Sequence, residues 1–260
     1  MVLLAVTAVV VFLVATPGGV LTKADMVGYA VCHRISQRSF SVAGRQLPLC
    51  ARCSGTFLGA LVGFFGQAVV LRRRRAADFP PPGVIVLLVG FVLAWASDGL
   101  NSYLTLMKGP HLYEPQNWLR LTTGALQGLT MSILVYPVFN FTLWRDPSLE
   151  RATRGIGDLG VLLLLETGMV GLVLASSSSE WSFLLYLLAL LSALGVLTLL
   201  VSVNSMLILL IVRRENTAGN WRDAVVPLLA GLTVSLIQIG TIDLVRYKLT
   251  GTLTGIPPLG

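Results

Sequence analysis

Charge is scarce in this chain. Asp, Glu, Lys and Arg make up 12% of its 260 residues, where soluble domains carry about a quarter. Such a chain cannot cover a water-facing surface with polar groups. Acidic residues are the rarer kind, 12 against 19 basic, for a net charge of +7. In a soluble protein that excess would suggest nucleic acid. Here no basic stretch is interleaved with aromatics or carried on a soluble domain, so nucleic acid is set aside as a partner. There are only two histidines and three cysteines. No P-loop, His-Glu-x-x-His or Cys-x-x-Cys-His is present, which removes the recognisable nucleotide, zinc-protease and attached-haem chemistries. No internal repeat and no separate soluble domain is visible.

What is present is apolar: 55% of the residues are hydrophobic. Runs of about 20 apolar residues read as membrane spans. The expected architecture is an all-α integral membrane protein of about seven transmembrane helices, in the cell membrane. The spans fall at about 1–16, 54–71, 84–97, 119–143, 159–175, 181–212 and 224–245. Pro17-Gly18-Gly19 closes the first, which lacks the basic lead of a signal peptide. The turn 176–179 divides the fifth from the sixth. Two regions are expected, 1–145 and 146–260, the second adding three helices to the same bundle.

Basic residues set the orientation. Arg72, Arg73, Arg74 and Arg75 form one cluster, Arg145, Arg151 and Arg154 a second, and Arg213, Arg214 and Arg222 a third, each two spans after the last. Under seven spans all three lie on one face, which the positive-inside rule makes cytoplasmic. The N-terminus is then inside and the C-terminus outside. Trp95, Trp118, Trp181 and Tyr113 read as outer interfacial anchors, Trp144 and Trp221 as inner ones. Gly59 and Gly63 have the small-xxx-small spacing that permits close helix contact.

The loop 17–53 breaks the charge rule. It must lie outside, yet it carries Lys23, Arg34, Arg38, Arg45 and Arg52. It folds against acidic groups of the same protein, or it binds an anionic ligand or lipid headgroup. It also holds all three cysteines. Cys50-x-x-Cys53 is a spacing at which two thiolates grip one metal, with Cys32 or His33 completing the set and zinc the ion that suits sulfur and nitrogen donors. Because Cys32 and His33 are adjacent, His33 is a ligand or an outer partner, and His111 is a further candidate. Two other readings stay open. One is a redox-active thiol pair at the start of a helix, passing electrons to a quinone. The other is a plain disulfide, or free thiols packed at the helix end.

Other polar groups gather on the same face: Asp98, Asn101, His111, Asn117, Arg120, Asp243 and Arg246. Asp98 and Arg120 are expected to pair across a short loop, since an ionisable group at membrane depth needs a partner. Asp243 and Arg246, three apart, share a helical face and can pair. Glu166 stands alone in mid-span as an intramembrane carboxylate.

The stretch Cys32-His33, Arg38-Ser39-Phe40, Gly44 and Cys50-Ala51-Arg52-Cys53-Ser54-Gly55, with Asp98-Gly99 and Arg120 before Thr123-Gly124, resembles a family of predicted prokaryotic membrane proteins filed as domain of unknown function 2085. The likeness spans roughly 30–137. It implies a multi-span membrane protein marked at these residues, and it brings no reaction with it. The sequence therefore leads to a binding or accessory subunit of a larger membrane assembly, its outer loop stapled by a metal. The alternatives are an enzyme acting on a lipid or quinone at the outer face, and a proton- or ion-coupled transporter.

Overall fold

A computed structural model gives the fold; it describes residues 2–16, 18–177 and 179–253. Met1 and Pro17, named above as the start and stop of the first span, and Ser178 of the turn lie outside the described residues. The apolar N-terminal run forms helix α1 (Val2–Ala15), and a second helix, α2 (Val20–Val31), follows at an angle of 106°. α2 corrects the expectation that 17–53 is one long loop. Lys23 and Asp25 make it too polar to read as a span, but it buries eight of its 12 residues. A hairpin comes next, β1 (Ser41–Val42) against β2 (Arg45–Gln46), turned on Ala43 and Gly44 at φ 48° and 71°. Positive φ at both turn positions is what a two-residue hairpin requires.

Six helices are long and apolar enough to cross a membrane, or seven if α1 and α2 count as one broken span. The first is α3 (Ala51–Phe65), prolonged by a π-helical stretch to Val70. Then come α4 (Pro82–Leu106), α5 (Asn117–Leu143), α6 (Ile156–Ser176), α7 (Ser182–Ile211) and α8 (Trp221–Thr250). α4 outruns its expected end at residue 97 by two turns. Asp98, Asn101 and Ser102 do not stop it, because all three are buried and hydrogen-bonded.

α3 and α5 form the spine. Lipid tails are as apolar as leucine, so helices in a bilayer associate by packing and polar contact rather than by hydrophobic exclusion. The packing here is backbone on backbone. A β-carbon placed on Gly55 would fall 2.2 Å from the Leu121 carbonyl oxygen, and one on Gly128 would fall 2.0 Å from that of Thr56. Both helices begin at the same end of the bundle, beside the cysteines. α7 packs on α3, α2 and α8, while α4 and α6 cover α5 through Val84, Leu88, Leu129, Ile133, Leu159 and Leu162.

The opposite end carries the arginine clusters, tied by β3 (Ala76–Asp78) pairing in parallel with β4 (Ser148–Arg151) and by Arg73 bonding Glu150 at 2.7 Å. Trp144 is not an interfacial anchor. It is fully buried, its ring under the Arg75 guanidinium at 4.6 Å and its indole N–H donating to Asn140 Oδ1. Trp221 remains largely exposed beside it.

Candidate functional site

The cysteines meet where α2 ends and α3 begins. Cys32 caps the end of α2, Cys50 is the N-cap of α3, and Cys53 lies in its first turn. Their sulfurs all lie within 4.8 Å of one another. Cys32 Sγ accepts the backbone N–H of Arg34 at 3.4 Å and of Cys50 at 3.2 Å. Arg34 reaches that position with a left-handed backbone at φ 52°. Two N–H groups aimed at one sulfur favour its thiolate, the form that ligates a metal. Hydrogen bonds between the thiols, that with Cys32 foremost, pull the Cys50 thiol far below its ordinary value and hold the Cys32 thiol well above it.

The loop that delivers Cys32 is fastened on every side. Arg246 of α8 donates to the carbonyls of Tyr29 and Cys32, the latter at 2.7 Å, with its guanidinium 4.0 Å over the Tyr29 ring. These are last-turn carbonyls of α2, where a cation is stabilising. Arg34 and Arg45 both bind Asp25, at 2.9 and 2.7 Å. The hairpin turn is bonded to the α6–α7 connection by the Ala43 N–H on the Ser179 carbonyl. Leu47 and Leu49 are fully buried, and a β-carbon on Gly28 would meet the Pro48 carbonyl oxygen at 2.2 Å.

Beside the cysteines lies a polar mouth built from α3, α4 and α5. Asp98 is 2% exposed. It pairs with Arg52, accepts the Tyr113 hydroxyl at 2.8 Å and takes the Thr123 hydroxyl at 3.4 Å. Its expected partner Arg120 does not pair with it. Arg120 donates instead to Asn117 Oδ1 at 2.8 Å and Ser102 Oγ at 3.4 Å. The reason is reach: Arg52 leans from the first turn of α3 directly onto Asp98, and its carbonyl abuts Gly124 of α5. Tyr113 is therefore a hydrogen-bond donor rather than a free anchor, its phenol pushed up to about 12 by burial and by the Asp98 carboxylate. Asn101 closes the α4–α5 loop through the Tyr113 carbonyl and the Leu112 N–H.

His33 is half-buried and accepts the Ile35 N–H at Nδ1, so a neutral ring carries its proton on Nε2. It does not join the sulfur cluster, and no histidine or carboxylate among the described residues does. Burial first, then Arg38, Arg52 and Arg120, push its pKa down. His111 stands apart on an exposed loop, bonded to Glu114 at 3.0 Å. Asp243 and Arg246 make no ion pair within 4.0 Å; Arg246 is turned to α2. Asp243 lines a groove of about 530 Å³ between α1 and α8, with Oδ1 unpartnered among the described residues. Glu166 is 3% exposed, with neither carboxyl oxygen bonded within the described residues.

Two members escape sequence reading. Asp25, the one acidic residue of the loop, was detectable as the sole internal counter-charge for its arginines. Ser102 had no signal beyond lying one helical turn after Asp98.

Residues 32–134 match the model of a family described as predicted membrane protein (DUF2085). The match begins on Cys32 and contains the cysteine cluster, Asp98 and Arg120, while α6, α7 and α8 lie beyond it. An uncharacterized protein of Methanocaldococcus jannaschii is 31% identical over 109 residues, covering 42% of this chain and 64% of that protein. An uncharacterized protein of Methanothermobacter thermautotrophicus is 29% identical over 104 residues, 40% of this chain and 83% of the other. No solved structure matches the chain.

Proposed function

We propose that this multi-span membrane protein is a metal-stapled binding protein, an accessory subunit of a larger membrane assembly, whose cysteine end faces out of the cell. Cys32, Cys50 and Cys53 would hold one zinc ion and clamp the 32–50 loop to the first turn of α3. The observation that carries this reading is the gathering of three sulfurs within 4.8 Å from two separate segments. A disulfide needs only two of them, and a third buried thiol at that distance is what a ligand set contains. Zinc takes four donors. The fourth would be His33 or a molecule from outside, and an open position beside the polar mouth suits a binding role. The arginine clusters at the opposite end support the orientation.

Elemental mass spectrometry on protein purified in mild detergent tests this. About one equivalent of zinc is expected in the wild type, lost in Cys50→Ser together with thermal stability. Wild-type protein without metal, with Cys50 and Cys53 found joined on thiol counting, would overturn the reading and put thiol redox chemistry first.

Glu166 gives the transporter reading its one specific observation, a buried carboxyl in mid-span with no partner among the described residues. The two readings diverge on Glu166→Gln, which keeps the shape and removes the exchangeable proton of the carboxyl. For a binding protein the variant is expected to keep its metal and to melt close to the wild-type temperature, since a buried carboxyl without a partner sits there neutral and the amide has nearly its shape. Loss of a proton or ion flux in vesicles would instead favour transport.

A further inference from the structure

Three arginines converge on one buried serine. Arg52 donates to Ser102 Oγ at 3.0 Å, Arg120 to the same atom at 3.4 Å, and Arg38 to the Ser102 carbonyl at 3.2 Å. They come from three parts of the chain, the loop, α3 and α5, and among the described residues only Arg52 makes an ion pair, with Asp98. Arg120 is 7% exposed; among the described residues its hydrogen bonds go to neutral oxygens, and Asp98 acts on it only from beyond ion-pair distance. Like charges gathered in a half-buried mouth repel, and a buried cation without a counter-charge is costly. Two other carboxylates at this end are engaged elsewhere: Asp25 is occupied by Arg34 and Arg45, and Glu114 stands exposed on His111.

The shortage survives both neutral thiols and a zinc-bound cluster. With neutral thiols the mouth holds three positive charges against one negative. Zinc bound by three thiolates adds one net negative charge, and the mouth is still one short. The N-termini of α3 and α5 open at this same end and add positive potential.

We propose that Arg38, Arg52 and Arg120, gathered on Ser102, form a binding site for a phosphate-class oxyanion. Guanidinium forks match the several oxygens of a phosphate and bind it in pairs. The site lies where α3 and α5, two of the candidate membrane spans, begin, so a lipid headgroup and a free phosphate are both candidate sources and share the chemistry. The inference adds a ligand class to the binding role and stands with or without the metal.

The test uses full-length protein in two arms. In nanodiscs of phosphatidylcholine alone, inorganic phosphate is titrated by calorimetry. In the second arm, native mass spectrometry reads retention of phosphatidylglycerol from mixed nanodiscs. About one equivalent is expected to bind in one arm, which names the source. Arg38→Gln and Arg120→Gln should each weaken it about tenfold or more. Arg45→Gln, which removes an arginine already paired to Asp25, should leave it unchanged. Arg38 is half-buried, so its variant remains informative if Arg120→Gln fails to fold. Metal content of the same samples keeps this proposal separate from the staple: arginine variants that lose the anion and keep the metal support it. Wild type that binds in neither arm, or loses as much affinity through Arg45→Gln as through Arg38→Gln, would overturn it.

Discussion

Gly128→Ala, the addition of one methyl group in mid-membrane, is expected to lower the melting temperature by about 10 °C or to prevent folding altogether. The new β-carbon would sit 2.0 Å from the Thr56 carbonyl oxygen and 2.7 Å from the Ala60 nitrogen. Both are backbone atoms of α3, and they cannot rotate away as a side chain would. Either α5 withdraws along its length or the helix bends. Withdrawal would also open the contacts of Gly55, Gly59 and Gly124, which lie on the same seam. Overpacking of this kind costs about 3 kcal/mol, and for a chain of this size each kcal/mol moves the melting temperature by about 2–4 °C. The control is Gly168→Ala on α6, where nothing lies within 4 Å of the added atom. That variant should melt at or slightly above the wild-type temperature, since alanine is the better helix former. Thermal unfolding of the two variants in one detergent, followed by tryptophan fluorescence, decides the matter. Equal melting points would mean that α3 and α5 do not meet as described.

The same seam explains how far the sequence could be read. The six long helices were legible as apolar runs, because hydropathy over 20 residues reports directly on the cost of leaving polar groups in lipid. Their ends were less so. Asp98 looked like a terminus because a charge ends a run on a hydropathy scale, yet paired and buried it is tolerated within a helix. α2 was hidden by Lys23 and Asp25, whose charges are met by the Thr16 and Leu13 carbonyls and by Arg34 and Arg45. Gly59 and Gly63 pointed to a close contact, but spacing alone could not name the helix across it.

In the candidate site, the residue types were legible and most of the pairings were not. Three cysteines in one loop were enough to predict a cluster, because local chain geometry brings Cys50 and Cys53 together and the loop returns Cys32. The pairing of Asp98 with Arg52 depends instead on three helices docking, and sequence proximity pointed to Arg120. Arg246 and Asp243 looked like a pair at helical spacing, but the C-terminal end of α2 offered Arg246 two carbonyls. Long-range partners are set by packing, and the information for that packing is spread along the glycine seam.

Asp98→Asn should show the largest effect of any substitution in the mouth. Among the described residues Asp98 is the one carboxylate paired within this group of three guanidinium groups, and its side chain and that of Arg52 are 2% and 19% exposed. An asparagine keeps the shape and can still accept from Tyr113, so what is lost is the charge. Removing one member of a buried pair costs about 3–5 kcal/mol, because the other is left buried without compensation. The exposed pair of Arg151 with Asp78, at 47% and 50%, provides the contrast: Asp78→Asn should leave the melting temperature close to that of the wild type. Adding Arg52→Gln to Asp98→Asn should restore part of the loss, and a double-mutant cycle measures the coupling. Independent, additive effects would mean that the pair is not formed. The mouth of Asp98→Asn is also more positive than that of the wild type. If its arginines take a phosphate-class oxyanion, inorganic phosphate should raise the melting temperature of Asp98→Asn more than that of the wild type, at matched ionic strength. Equal shifts would leave Asp98 as a purely structural anchor, and would argue that the surplus positive charge is met within the protein itself.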